Sequence, residues 1–231
     1  MMEAVVLAGG LGTRLRTVVP DLPKPMAMVA GRPFLEILLR RLAAAGVERV
    51  VLSVGYRADV IIGHFGASFA GMTLDYEIES VPLGTGGALR RALARCHADR
   101  CLVVNGDTFL DLDITALAQA SKRRPGPWIV GLQVPDAARY GRLATEESRL
   151  IGFLEKGQSG PGLVNSGHYL LPSDMLKSCS LSDPFSFEAD FLQTQLPVGL
   201  EVNVFETDAL FIDIGIPSDY ARAQSLLAHV S

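Results

Sequence analysis

The chain has 231 residues, 48% of them hydrophobic, and a formal net charge of −4. That length suits one large α/β domain or two small ones, and such a chain hides roughly 70–75% of its unfolded surface. The apolar content excludes disorder, and the charge implies no broad basic face for nucleic acid, though a local basic pocket stays open. Met1-Met2-Glu3 places an acid where a secretory leader needs a basic start. No run reaches the roughly 18 apolar residues of a membrane span, so no membrane partner is expected. Cys96, Cys101 and Cys179 form no C-x-x-C pair. They oppose a zinc site, fit a reduced, cytoplasmic setting, and read as small core residues.

Val5-Val6-Leu7-Ala8 is a β-branched run stopped by glycine and reads as a buried strand. A Gly/Pro-punctuated loop is expected over 9–33, a length that in compact domains usually carries function. Phe34, Leu38, Leu42 and Ala45 share one helical face, with Arg40 and Arg41 off it and Gly46 at the end. A strand over 50–54, a helix over 58–65, a strand over 74–78 and a helix over 86–96 follow. A fourth strand, 101–104, runs into Asn105-Gly106-Asp107. This alternation predicts a parallel, doubly wound sheet.

Past Asp113, read as an N-cap, a helix over 114–123 gives way to strands at 128–134, 142–144, 150–155 and 164–171. Late strands at 201–206 and 210–213 precede a closing helix over 217–229, with Pro217 in its first turn. The second half is therefore a mixed region. No linker or internal repeat breaks the chain. The expected fold is α/β: a Rossmann-like, doubly wound mixed sheet in a single domain.

Leu7-Ala8-Gly9-Gly10-Leu11-Gly12-Thr13-Arg14-Leu15 follows the first strand. Glycines there let backbone N–H groups approach a phosphate. Arg14-Leu15 lacks the Gly-Lys-Ser/Thr ending of a Walker A loop. A dinucleotide fingerprint counted from Gly10 and Gly12 meets Leu15, too large for close helix–strand packing. Pro23 and Pro25 restrict the backbone on both sides of Lys24. An arginine that grips oxygens bidentately and a lysine that acts as a point charge are the parts needed to hold a polyphosphate. Asp107 lies just past a strand, where open α/β sheets bind ligands, and Asp213 also ends a strand. Carboxylates from two distant segments suit Mg²⁺, a hard cation. Either aspartate alone also reads as a cap or turn residue, as Asp111 does.

Further motifs recur in order along nearly the whole chain. They are Pro82-Leu83-Gly84-Thr85-Gly86-Gly87-Ala88, Asn105-Gly106-Asp107, Phe153-Leu154-Glu155-Lys156, Val164-Asn165-Ser166-Gly167 and Phe211-Ile212-Asp213-Ile214-Gly215. With the glycine-rich loop and Pro23-Lys24-Pro25 they resemble the sugar-1-phosphate nucleotidyltransferases. The resemblance implies a GT-A-like nucleotide-diphospho-sugar transferase fold over 1–231. About 1–112 would form a nucleotide-binding half and about 113–231 a sugar-phosphate-binding half. It implies Arg14, Lys24 and Asp107 as catalytic residues. Around the nucleotide it implies Leu7, Ala8, Gly9, Gly10, Gly12, Thr13, Leu83, Gly84, Thr85, Gly86, Gly87, Asn105 and Gly106. Around the sugar phosphate it implies Gly141, Glu155, Lys156, Asn165 and Asp213, with Lys156 on the phosphate and Glu155 on sugar hydroxyls. Asp107 and Asp213 would be the Mg²⁺ ligands. The family usually carries a proline soon after the arginine, whereas Arg16-Thr17 intervene here before Pro20.

Pyrimidine-selective members often read the base with a glutamine near 83–87, and none is present in that stretch. The text of 12–27 and of 213–220 most resembles the D-glycero-α-D-manno-heptose 1-phosphate guanylyltransferases. That implies GTP, a heptose 1-phosphate and a GDP-heptose product feeding a surface polysaccharide or glycoprotein, such as lipopolysaccharide, capsule or S-layer glycoprotein. Mannose 1-phosphate guanylyl transfer is the nearest competitor, and uridylyl or cytidylyl transfer the next. Homo-oligomerisation stays open. A phosphate monoester, with its second pKa at about 6, is already an anionic nucleophile, so no general base is needed. His64, His97, His168 and His229 accordingly read as structural or exposed. A non-catalytic sugar-nucleotide sensor and a dinucleotide oxidoreductase are the other classes, the latter opposed by Leu15.

Overall fold

In the computed structural model, residues 2–10, 12, 14, 15, 17–155, 157 and 159–230 are described. The chain opens with β1 (Glu3–Ala8), then a 3₁₀ turn (Lys24–Met26), the hairpin β2 (Met28–Val29) and β3 (Arg32–Pro33), and α1 (Phe34–Ala44). Next come β4 (Arg49–Val54), α2 (Ala58–Phe65), β5 (Ser68–Phe69), β6 (Met72–Ile78) and α3 (Gly84–Leu93). β7 (Arg100–Asn105), β8 (Thr108–Leu110), α4 (Ile114–Arg123) and β9 (Trp128–Val134) follow. The second half adds β10 (Arg142–Glu146), β11 (Arg149–Leu154), β12 (Gly162–Pro172), β13 (Asn203–Thr207) and β14 (Phe211–Asp213). A closing helix (Pro217–Leu226) completes the chain.

Ten strands form one sheet in the order β10-β11-β13-β9-β12-β7-β1-β4-β6-β5. The β7-β1-β4-β6 block is parallel, and β12 runs antiparallel between β7 and β9. This is the mixed, doubly wound α/β fold expected from the sequence. Side chains alternate across a strand, so β1 feeds two cores. Val5 packs with Val51, Val103, Leu89 and Leu93 on one face. Ala4 and Val6 pack with Leu52, Leu35 and Leu39 on the other. Strands covered on both faces read as near-continuous apolar runs, which is how β1, β4 and β7 appear in the sequence. A third cluster, with Leu15, Phe34, Phe109 and Ile214, lies beneath the closing helix.

Several boundaries differ from expectation, among them the end of α3, at Leu93 rather than at 96. The 9–33 segment is not loop throughout, since it holds the 3₁₀ turn and the β2–β3 hairpin. α3 begins at Gly84, ahead of the expected start at 86, because Leu83 and Gly86 are both tied to the backbone of Phe185. The closing helix ends at Leu226 rather than at 229. Asp113 caps α4 as expected, its carboxylate accepting from the Ala116 N–H at 2.8 Å. Asp111 pairs with Arg41 at 2.7 Å. No helix among the described residues is long and apolar enough to cross a membrane.

Glu3 is buried at the opposite, amino edge of the sheet. Burial alone would raise its pKa. The N–H groups of Ala98 and His97, together with Arg49, outweigh that and hold it below the usual carboxylate value. Cys96 and Cys101 bring their sulfurs within 4.8 Å of this carboxylate. Its oxygens are already spent on Arg49 at 3.0 Å, His97 N at 2.6 Å and Ala98 N at 3.0 Å.

Candidate active site

β1, β4, β6 and β7 all end at the same edge, and the exits of β1, β6 and β7 line a cavity of about 310 Å³. Leu7, Ala8, Gly9 and Gly10 line it from β1, Glu79 from β6, and Asn105, Gly106 and Asp107 from β7. Lys24 and Pro25 close one side, and Pro82, Leu83, Gly84, Thr85 and Ala88 the other. The carboxyl edge of a parallel sheet is where such folds bind ligands.

At the β7 side, Lys24 Nζ lies 2.5 Å from Asp107 Oδ2 and 3.7 Å from Asp213 Oδ1. Local structure explains this meeting. Pro23 and Pro25 bracket Lys24 in the 3₁₀ turn, which the Lys24 carbonyl closes by accepting from Ala27 N. β8 and β14 pair antiparallel, with Thr108 opposite Asp213, and Ile214 N donates to the Asp107 carbonyl at 3.0 Å. That two-stranded ladder sets side by side two aspartates that are remote in sequence. Burial raises the Asp213 pKa, and the neighbouring Asp107 adds to the effect, against Lys24, the Gly215 N–H and Arg14. Two neighbouring carboxylates, with cations balancing them, form a hard-oxygen donor set that fits a divalent cation. Arg14 is exposed beside this cluster, and Gly12 lies against the Lys24 stem.

The α3 side is built around a distant segment. Phe185 N donates to the Leu83 carbonyl at 3.1 Å, and Gly86 N donates to the Phe185 carbonyl at 2.9 Å. Thr85 Oγ1 accepts from Phe187 N at 2.9 Å and reaches Glu188 at 3.3 Å. A Cβ at Gly86 would lie 2.1 Å from the Phe185 ring, and one at Gly87 would lie 2.2 Å from Asp183 Oδ1. Gly86 and Gly87 are buried against that segment and do not line the cavity. Leu83, Gly84 and Thr85 do line it.

Beyond Asn105 lies β12. Asn165 Nδ2 donates to the Tyr169 hydroxyl at 2.7 Å, and that hydroxyl donates to Glu188 Oε1 at 2.5 Å. Asn165 Oδ1 accepts from Gly167 N at 2.9 Å. Gly167 has φ +74, and a Cβ there would lie 2.4 Å from Asn105 Nδ2. Only glycine adopts that backbone freely while leaving Asn105 its place. Gly141 lies just before β10, and Glu155 is exposed just past β11. Neither they nor Asn165, Gly12, Arg14 or Asp213 line the cavity. Thr13 and Lys156 fall outside the described residues. His168 is fully buried, and burial pushes its pKa down to about 4, partly opposed by the Ser166 carbonyl. His64, His97 and His229 are exposed.

Glu79 was not singled out by the sequence. Its carboxylate accepts from Ser53 Oγ at 3.0 Å and from Leu83 N at 3.3 Å. A Cβ on Gly9 would lie 2.2 Å from its Oε1. The available signal was the one that found Asp107, a carboxylate just past a strand of the parallel block.

A glycine-rich exit from β1, a lysine between two aspartates and a helix start facing them define a nucleotidyl-transferring site. The chain belongs to the nucleotidyl transferase family, whose model matches residues 3–229. It is 40% identical over 229 residues to the D-glycero-alpha-D-manno-heptose 1-phosphate guanylyltransferase of Aneurinibacillus thermoaerophilus, covering 99% of each chain. It is 41% identical over 221 residues to the protein of that name from Campylobacter jejuni subsp. jejuni serotype O:2, covering 95% of this chain and 97% of the relative. Among solved structures, HddC from Yersinia pseudotuberculosis matches with a TM-score of 0.87 at 41% identity, over 97% of this chain and 99% of that one. The same protein complexed with GMP-PN matches with a TM-score of 0.86.

Proposed function

We propose that this protein transfers GMP from GTP to D-glycero-α-D-manno-heptose 1-phosphate, giving GDP-heptose and pyrophosphate in the cytoplasm. The observation that carries the reading is the Lys24–Asp107–Asp213 cluster at the mouth of a nucleotide-sized cavity. Likeness over nearly the full length to guanylyltransferases that act on this sugar supports the choice of substrates.

A phosphate oxygen of the sugar 1-phosphate attacks the α-phosphorus in line. The new P–O bond forms as the bond to the β-phosphate oxygen breaks, and pyrophosphate carries away the electron pair. The attacking oxygen is already anionic at neutral pH. Catalysis is then positioning and charge neutralisation. Lys24 holds the α-phosphate, and Arg14 meets the leaving pyrophosphate. Leu7 to Gly10, Gly12 and Thr13 border the phosphates and ribose, with Leu83 to Thr85 and Asn105-Gly106 completing the pocket. Lys156 holds the attacking phosphate, while Gly141, Glu155 and Asn165 face the sugar. Asp107 and Asp213 would hold Mg²⁺, which when bound neutralises and orients the phosphoryl oxygens. On this reading residues 1–112 serve the nucleotide and 113–231 the sugar phosphate. The product is an activated sugar donor of the kind that supplies lipopolysaccharide, capsule or S-layer glycoprotein assembly.

Pyrophosphate release with Mg²⁺ tests the reading, over a grid of four nucleoside triphosphates against heptose, mannose, glucose and N-acetylglucosamine 1-phosphates. Release with GTP and the heptose alone is expected. Release with a different pair would keep the mechanism and overturn the substrates.

A further inference from the structure

A second group of reactive side chains lies at the amino edge of the sheet, opposite the nucleotide cavity. Glu3 of β1 stands in register with Cys101 of β7. α3 ends at Leu93, and the chain turns through 94–99 before entering β7. Glu3 fixes this turn, since its Oε2 accepts from His97 N at 2.6 Å and from Ala98 N at 3.0 Å. The turn so held brings the Cys96 sulfur within 4.8 Å of the Cys101 sulfur. Cys101 is set in a strand, whereas Cys96 belongs to no helix or strand. A shift of the turn alone can therefore close the gap to a disulfide bond, about 2.05 Å.

The two thiols differ in access. Cys101 is fully buried. Cys96 is half-buried and lines a second cavity, of about 370 Å³, between α3 and the 173–177 segment. That wall shares the frame of the turn, because Ser173 N donates to the Asp99 carbonyl at 3.0 Å. The thiols differ in acidity as well. The Cys101 S–H favours the Cys96 thiolate by donating to it, and Arg49 adds to this, so the Cys96 pKa is lowered against burial and the Glu3 charge. The same pairing, with burial, raises that of Cys101. The thiolate is the attacking form of cysteine, so Cys96 can open an exchange and Cys101 can complete it.

We infer that Cys96 and Cys101 form a reversible thiol–disulfide site whose substrate is a small disulfide such as oxidised glutathione. The Cys96 thiolate attacks one sulfur of that molecule in the second cavity. The S–S bond breaks, and one glutathione leaves as its thiolate. The Cys101 sulfur then attacks the Cys96 sulfur. The second glutathione leaves with the electron pair of the mixed disulfide and takes up the Cys101 proton. Two protein thiols are oxidised to one disulfide, and the small disulfide is reduced to two thiols. Disulfides inside the cell are usually of this transient, redox-sensing kind. The bond joins the end of α3 to the start of β7, two elements whose other ends lead to Thr85 and Asp107 of the nucleotide cavity.

The test exposes the folded, reduced full chain to excess oxidised glutathione, traps the remaining thiols with iodoacetamide and maps the tryptic peptides by mass spectrometry. Trypsin cuts after Arg100, between the two cysteines, so their peptides stay together only through an S–S bond. A Cys96–Cys101 link is expected in most of the protein, and excess reduced glutathione should reopen it. Cys101→Ala should stop at a mixed disulfide on Cys96. In Cys96→Ser, Cys101 should take up glutathione at least about 10-fold more slowly than Cys96 does in Cys101→Ala, because a buried thiol is inert. No link in the unaltered protein overturns the inference, and so does a link that excess reduced glutathione fails to open. Equal uptake rates in the two variants overturn the assigned order of attack. If circular dichroism shows either variant to be unfolded, the order is read from the unaltered protein at early times. The mixed disulfide should then appear on Cys96, and its appearance on Cys101 refutes the proposal.

Discussion

Replacing Gly84 by alanine tests whether the wall of the cavity is set by the 183–185 segment. Gly84 has φ +72, and a Cβ there would lie 2.3 Å from the Phe185 carbonyl oxygen and 2.9 Å from its carbonyl carbon. The obstacle is backbone, and it is tied on both sides, to Leu83 and to Gly86. The left-handed conformation costs an L-residue about 1–2 kcal/mol. Forcing the overlap apart adds about 1–3 kcal/mol, and stretching one hydrogen bond about 1 kcal/mol. A total of about 3–6 kcal/mol lowers Tm in a chain of this size by roughly 6–24 °C. Gly46→Ala is the control. It has φ +84 with nothing within 4 Å of the added carbon, so only the backbone cost of about 1–2 kcal/mol applies. Scanning calorimetry of both variants, with KM for GTP measured on the folded protein, reads the outcome. Gly84→Ala should also raise KM for GTP more than it lowers kcat. A Gly84→Ala protein melting no lower than Gly46→Ala would refute the reasoning, because the 183–185 segment would then be free to yield.

Three further outcomes are expected. Lys24→Met should lower kcat by about 10²–10³, the range for a lost electrostatic stabiliser; single-turnover GMP transfer near the original rate would exclude it from the chemistry. Tyr169→Phe removes a buried hydroxyl that joins Asn165 to Glu188. It should cost about 1–3 kcal/mol by urea denaturation, because both partners lose their mate. His168 is held neutral until about pH 4, whereas an unfolded histidine takes its proton near 6.5. The unfolded chain therefore binds the extra proton between those values, and stability falls as pH drops through that window. His168→Gln should remove about 3 kcal/mol from the stability difference between pH 7 and pH 4. Superimposable urea curves for the two proteins across that range would contradict the burial effect.

The parallel block was legible because β1, β4 and β7 are short, apolar and bounded by glycine or polar residues, and the rule for open sheets pointed straight at Asp107. The encounter of Asp107 with Asp213 was less so. Each ends a strand, but β8 and β14 span only Thr108–Leu110 and Phe211–Asp213, too short to show a period. Gly86 and Gly87 belong to a glycine-rich run that suggests a phosphate cradle. Their small size instead admits Phe185 and Asp183, partners that local sequence does not announce. Glu79 reads locally as a solvated acid between a strand and a proline. What orients it is Ser53 on a neighbouring strand, a pairing that appears only once β4 and β6 are laid side by side.

The β8–β14 ladder also sets a timetable. One carboxylate of the proposed metal-binding pair, Asp107, leaves the ribosome just after β7, while the other, Asp213, follows much later with β14. Domains form as synthesis proceeds, at about 5–20 residues per second. The cavity, whose wall leans on the 183–185 segment, can therefore take shape only a few seconds before Asp213 arrives beside Lys24 and Asp107. On the proposed reading, a nascent chain in that interval has a place for a nucleotide but only half of its ion site, so chemistry on the triphosphate would begin only when β14 has docked.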